Sequence, residues 1–138
     1  MRLRDLAGGR LVLAELLALS IMASLLGCAD SFDYAKGAQM TGGDPQVGKE
    51  KVISHDCHSC HEIPGVPVNA NRKGPGLTHW SRKSKIADQW PNTPENLEDY
   101  IRHPDRMMHG KGVKSEISMP SVNAEDAKNI AAYLYSIE

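Results

Sequence analysis

Apolar residues recur near the C-terminal end of the chain at the spacing of one helical face: Ala127, Ile130, Ala131, Leu134 and Ile137. Asn123 precedes this stripe as a cap, and Glu125 and Asp126 make the first turn acidic, so the pattern predicts an amphipathic terminal helix. Thr93-Pro94-Glu95-Asn96 opens another helix, with Leu97, Tyr100 and Ile101 on one face and Pro104 forcing its end near His103. A third begins at Asp44-Pro45, a capping residue followed by proline at the first helical position, and runs through QVGKEKVISH. No segment alternates as a strand, so the pattern predicts an all-α chain. Two regions lack the amphipathic pattern. Leu11 to Leu26 is apolar except at Glu15 and Ser20, and it follows Arg2, Arg4 and Arg10. Ala29 to Gly43 has neither helical nor strand periodicity and is expected to be a flexible tether, about 20 Å long as a coil and about 50 Å stretched. Packing of Phe32 and Tyr34 on the folded part is the alternative.

The first predicted helix runs into Cys57-His58-Ser59-Cys60-His61, a C-x-x-C-H run. Two thiols at this spacing can each form a thioether with a vinyl group of haem, and the imidazole that follows directly is then held beneath the iron. Three other readings compete. A zinc half-site needs a second Cys/His pair, and no C-x-x-C or H-x-x-x-H recurs downstream. A thioredoxin-like redox pair belongs beside a strand–helix unit, which the pattern does not supply. The third is chance.

Haem attachment of this kind requires export, and the N-terminal region has the form of a leader: a basic start, an apolar run and a small-residue junction at Leu25-Leu26-Gly27-Cys28. The run is short for a bilayer span, which favours a cleaved signal peptide over residues 1–27; an uncleaved anchor is the alternative. The junction is similar to a bacterial lipoprotein box, and that resemblance implies acylation at Cys28 and a lipid-anchored protein on the periplasmic side of a membrane. The chain has three cysteines, one at this junction and two in the haem-type motif, so none is left for a disulfide. The expected organisation is therefore signal peptide 1–27, tether 28–43 and one folded domain 44–138. The formal net charge of −1 argues against a nucleic-acid partner. With two Trp, four Tyr and one Phe, a domain of this size needs a cofactor as its central apolar body.

The other side of a haem iron decides between an electron carrier, which has a ligand there, and a gas-binding or catalytic site, which does not. Met119-Pro120 lies in the loop just before the terminal helix and can fold over the face opposite His61. Met107 and Met108 carry the same sulfur chemistry, and His79, His103 and His109 offer imidazoles. Between Arg72 and Lys114 stand nine Lys/Arg against five Asp/Glu, a basic surplus that would steer an acidic partner if it rims the haem edge.

Over residues 44–138 the chain resembles the class I cytochromes c. The resemblance rests on Gly48 in the first helix, the C-x-x-C-H at 57–61, Gly74-Pro75-Gly76-Leu77, the helix TPENLEDYIRHP, Met119-Pro120 and the final AAYLYSI. In Ile63-Pro64-Gly65 and Asn92-Thr93-Pro94-Glu95-Asn96-Leu97 it is similar to small bacterial cytochrome c domains found with haem–copper terminal oxidases. It departs from the family at Val52, where an aromatic residue is usual, and in a longer stretch between Pro104 and Met119. The resemblance implies a small cytochrome c fold of three to five helices wrapped around one covalently attached haem c. Cys57 and Cys60 would hold the haem, His61 and Met119 the iron. Pro75 would accept a hydrogen bond from the second ring nitrogen of His61, and Trp90 would donate to a haem propionate. Gly48 would let the first helix approach the last, beside Tyr133.

The expectation is thus an electron-transfer protein that is not an enzyme. It would pass single electrons between membrane-associated redox proteins, toward a haem–copper oxidase, as a monomer or a complex subunit. The alternatives are a five-coordinate haem enzyme or gas sensor, and a permanent haem subunit of an oxidase or reductase complex.

Overall fold

The computed structural model describes residues 31–68, 73–108 and 119–138. The expected leader at 1–27, Cys28, Arg72, His109, Lys111 and Lys114 lie outside the described residues, as does the side chain of Met108. The described part is mostly helical, with α1 at Tyr34–Thr41, α2 at Pro45–Ser54, α3 at Pro94–Arg102, α4 at Pro104–Met108 and α5 at Ala124–Tyr135. Single 3-10 turns stand at Cys57–Ser59 and Trp80–Arg82.

The three helices predicted from caps begin where the caps are. Asp44 accepts hydrogen bonds from Gln46 N and Val47 N at 2.8 and 3.2 Å and Pro45 occupies the first helical position, so the free N–H groups of that turn are satisfied locally. Thr93 does the same for α3 through Asn96 N at 3.3 Å, and Asn123 for α5 through Asp126 N at 2.9 Å. The helix α5 forms the centre of the fold. Ala127, Ala131, Ala132 and Tyr133 are fully buried, and Ile130, Leu134 and Tyr135 nearly so, because α1, α2 and α3 all pack on it. A helix buried on so many sides is a core element and not a surface one.

The small residues on α1 and α2 set how closely these helices cross α5. A Cβ on Gly48 would fall 1.9 Å from the carbonyl oxygen of Asn129, and one on Gly37 would fall 2.2 Å from that of Ala132. Both sites therefore demand glycine for backbone approach rather than for flexibility. Asn129 also reaches back to α2, its Oδ1 accepting from Asp44 N at 2.8 Å.

Two expectations are corrected here. The stretch at 28–43 is not a loose tether over its described part. Asp33 caps α1 by accepting from Lys36 N, Phe32 bridges to Ile137, Asp33 N donates to Ser136 O at 2.8 Å, and the Phe32 ring stacks on Tyr133 at 6.0 Å. The folded unit therefore begins before Asp44. The reason is tertiary: α1 gains its stability from the surface of α5 and not from a periodic pattern of its own. Nor is the chain purely α. Lys85–Ile86 (β1) and Trp90–Pro91 (β2) pair antiparallel, with Ile86 opposite Trp90, around a turn in which Ala87 and Asp88 have φ of 48° and 57°. Gln89 N donates to Ile86 O at 3.0 Å across that turn, the type I′ arrangement that suits a tight ribbon.

Candidate functional site

Immediately after α2 the chain turns on Asp56, whose φ of 56° is left-handed, and enters the Cys57–Ser59 turn. Cys60 N and His61 N both donate to Cys57 O, at 3.3 and 3.0 Å, so the two cysteines and the histidine sit on one tight coil of backbone. The following loop is fastened to that coil. Gly74 N donates to Cys60 O at 2.9 Å and Leu77 N donates to Glu62 O at 2.8 Å. His61 Nδ1 lies 2.8 Å from the Pro75 carbonyl oxygen, which makes Nδ1 the protonated nitrogen and leaves Nε2 with a free lone pair. A Cβ on Gly74 would fall 2.6 Å from His61 Cε1, so the loop backbone lies flat against the imidazole.

His61 opens onto a cavity of about 260 Å³ at the centre of the fold. Its walls are Val52 from α2, Leu97 and Ile101 from α3, and Ile130 and Leu134 from α5, with Leu77, Trp80 and Ile86 closing one side. Cys57 and Met119 also border it. A surface hollow on the other side of the cysteine turn brings Cys57, Cys60, His61, Met119 and Pro120 together again. The structure thus gathers Cys57, His61, Pro75 and Met119 around the apolar cavity, with Cys60 on the adjoining hollow. His79, His103 and Met107 are not part of the cavity wall.

Trp90 is placed elsewhere. Its indole stands in β2, 41% exposed, and Nε1 points to the Met107 carbonyl oxygen at 3.4 Å. Trp90 does not line the cavity, although its direct partner Ile86 does. Trp80 stands at the cavity instead. It is buried, and among the described residues neither its Nε1 nor the hydroxyl of Ser81 has a hydrogen-bond partner. A buried indole N–H that meets nothing costs about 1–3 kcal/mol unless a ligand accepts from it. Asn92 anchors the Trp80 turn, donating to Trp80 O and Lys83 O at 3.2 and 2.9 Å while its Oδ1 accepts from Tyr135. In sequence, the signal for Trp80 is its place three residues after the Gly74-Pro75-Gly76-Leu77 turn that covers His61.

The electrostatics bear on the competing readings of the motif. Burial pushes the Cys57 thiol up to about 11, so it is protonated at neutral pH, the opposite of an activated redox thiolate. Among the described residues no cluster of three or more His, Cys, Asp and Glu side chains is arranged to hold a metal ion. Arg102 and Arg106 border a further hollow that Met119 and Pro120 also line, and Arg106 pairs with Asp99.

Fold and site together define a mostly helical unit whose apolar cavity is bordered by the Cys57 thiol, an imidazole and a thioether, with the Cys60 thiol on the adjoining hollow. Among proteins of known role, the chain is similar to cytochrome c oxidase subunit 2 of Alkalihalophilus pseudofirmus, 30% identical over 91 residues, 66% of this chain and 25% of that protein. The chain thus spans about a quarter of the length of the curated relative it matches. No family model matches the chain, and no solved structure does. The match corrects the expectation of an electron-transfer protein that is not an enzyme, because the similar protein is a subunit of an oxidase and hence an enzyme component.

Proposed function

We propose that the chain is a c-type haem domain that passes single electrons into a cytochrome oxidase as part of that enzyme's electron path. The observation that carries this reading is that His61 and Met119 border one apolar cavity whose edge is formed by the Cys57 and Cys60 turn. The donor set fits haem c: two thiols for thioethers, an imidazole oriented by a carbonyl, a thioether sulfur, and apolar walls. The unpartnered N–H of Trp80 fits a propionate oxygen. When bound, haem c supplies an iron that cycles between Fe(III) and Fe(II).

The chain's own residues would do the rest. Cys57 and Cys60 would bind the cofactor covalently, and His61 Nε2 and Met119 Sδ would ligate the iron. The Pro75 carbonyl fixes the imidazole tautomer and raises its basicity, as outer partners of ligating histidines do. Val52, Leu97, Ile101, Ile130 and Leu134 would exclude water and so suppress oxygen chemistry at the metal. A sulfur ligand opposite histidine favours the ferrous state and a comparatively high potential. Arg102 and Arg106, beside Met119, support a basic rim for an acidic redox partner.

The similarity to an oxidase subunit supports a membrane-associated location, and Cys28 would supply a lipid anchor after removal of residues 1–27. Among the described residues no helix is long and apolar enough to cross a membrane. The test is a visible spectrum of purified protein with and without carbon monoxide, together with denaturing electrophoresis. Haem that stays on the band, and a reduced spectrum that carbon monoxide leaves unchanged, are the expected results. Rapid carbon monoxide binding would transfer the reading to a five-coordinate enzyme or sensor, and haem lost on denaturation would remove the c-type assignment.

A further inference from the structure

Lys51, His55 and Asp126 form a group outside the cavity. Asp126, buried in the first turn of α5, has Oδ2 at 2.8 Å from His55 Nε2 and Oδ1 at 3.1 Å from Lys51 Nζ. His55 caps the C-terminal end of α2, just ahead of Cys57, while Asn123, whose side chain caps Asp126 N, follows closely on Met119. One carboxylate therefore ties the helix end that leads into the Cys57 to His61 run to the helix start that receives the chain from Met119.

A second tie lies one turn further along α5. There Asn129 meets Gly48 at the crossing point and accepts from Asp44 N at 2.8 Å. The crossing, with α1 and α3 packed alongside, holds the middle and end of α5, and its first turn is left to Asp126. With Asp126 engaged, the pair is fixed at a second point, on the side from which both loops emerge. Swinging the start of α5 away would strand a buried carboxylate from both of its cationic or donor partners, which is strongly unfavourable.

We propose that Asp126 is a positioning residue for the two faces of the cavity: by gripping Lys51 and His55 it holds the Met119 arm at a set distance from the His61 wall, and so limits how often Met119 leaves the iron. This rests on the reading of His61 and Met119 as iron ligands. The clamp acts on the opening equilibrium of the sixth position, whereas the Gly48–Asn129 crossing acts on the stability of the helix pair as a whole.

The test compares variants of the haem-loaded protein by carbon monoxide association in the ferrous state, by the sulfur-to-iron charge-transfer absorption and by unfolding in denaturant. Asp126→Ala is expected to raise the association rate about tenfold or more, the factor that follows when one charge-assisted hydrogen bond is withdrawn from the closed state alone. Asp126→Asn keeps the shape and one acceptor and is expected to give a smaller rise in the same direction. Asn129→Ala, which cuts the tie at the crossing, is expected to lower stability without a comparable rise. Equal rises in the Asp126 and Asn129 variants, or no rise in either Asp126 variant, would overturn the inference and leave Asp126 a stability residue. If Asp126→Ala does not fold, Asp126→Asn against Asn129→Ala decides by the same criterion. Wild-type protein that lacks covalent haem, or binds carbon monoxide at once, refutes the ligand reading before any variant is made. Backbone hydrogen exchange at residues 119–123 then tests the clamp alone, and exchange no faster in Asp126→Asn than in wild type overturns it.

Discussion

The two faces of the cavity are held in different ways. The His61 face is fixed locally: Gly74 N on Cys60 O, Leu77 N on Glu62 O and His61 Nδ1 on Pro75 O tie the motif to the next loop across 14 or 15 residues of chain. The Met119 face is fixed at a distance, through Asn123 and Asp126 at the start of α5 and through the contacts of α5 with α2. A face secured by its own backbone bonds yields only to changes within it. A face secured through a helix answers to residues far from it.

The largest effect is expected from the cysteines. Cys57→Ser combined with Cys60→Ser removes both proposed thioether donors, and haem staining on a denaturing gel is expected to vanish completely, with no contribution from the Met119 face to rescue it. Next is Met119→Ala, which empties the other face while leaving the first intact. Loss of the sulfur-to-iron absorption, gain of carbon monoxide binding and a fall in potential on the order of 0.1 V are expected, within the roughly 0.8 V that axial ligands command. Met107→Ala is the control and is expected to leave all three unchanged, since Met107 is outside the cavity wall.

A smaller effect sharpens the local side of the comparison. Gly74→Ala places a methyl carbon 2.6 Å from the His61 ring and is expected to cost about 2 kcal/mol in denaturant unfolding and to shift the haem spectrum. A Gly74→Ala protein with unchanged stability and spectrum would show that the loop does not lock the imidazole. The smallest effect lies on the distant side and depends on pH. The hydrogen bond from His55, with Lys51 adding to it, holds the Asp126 carboxyl below the usual aspartate range. Its stabilising contribution is therefore present above the unfolded aspartate pKa of about 3.9 and is lost as pH falls through the lower folded value. Asp126→Asn is expected to flatten the acid limb of the stability profile in that window, and an unchanged acid limb would show that the clamp carries no charge-dependent stability.

How far this arrangement could be read in the sequence follows the same division between local and distant causes. Asp44-Pro45, Thr93-Pro94 and Asn123 mark helix starts because a cap acts on the next two or three N–H groups, and α2, α3 and α5 begin at those residues. The Cys57 to His61 run and Pro75 are equally local, and the hydrogen bond from His61 to Pro75 O is present. The helix α1 was hidden because Gly37, poor in an isolated helix, is required by the close approach to Ala132. Strands of two residues are too short to alternate, so Lys85–Ile86 and Trp90–Pro91 left no pattern. Trp80 lines the cavity and Trp90 does not, and no local pattern of apolar and polar positions in the sequence separates the two indoles. The link to an oxidase was legible in Ile63-Pro64-Gly65 and Asn92 to Leu97 through the resemblance they carry, and the similarity to an oxidase subunit supports it.

The fastening of Phe32 and α1 along α5 has a mechanical consequence. Whatever precedes Ser31 joins the fold at the C-terminal end of α5, where Asp33 N meets Ser136 O, whereas Met119 joins at its N-terminal end. A helix of 12 residues puts about 18 Å between the two attachment points. A pull on the N-terminal side therefore loads the Phe32–Ile137 bridge and the α1 contact in shear, and it reaches the cavity only along the full length of a helix buried on several sides. Force applied to the chain ahead of Ser31 is borne by one end of the molecule, while the spacing of the two cavity faces is decided at the other.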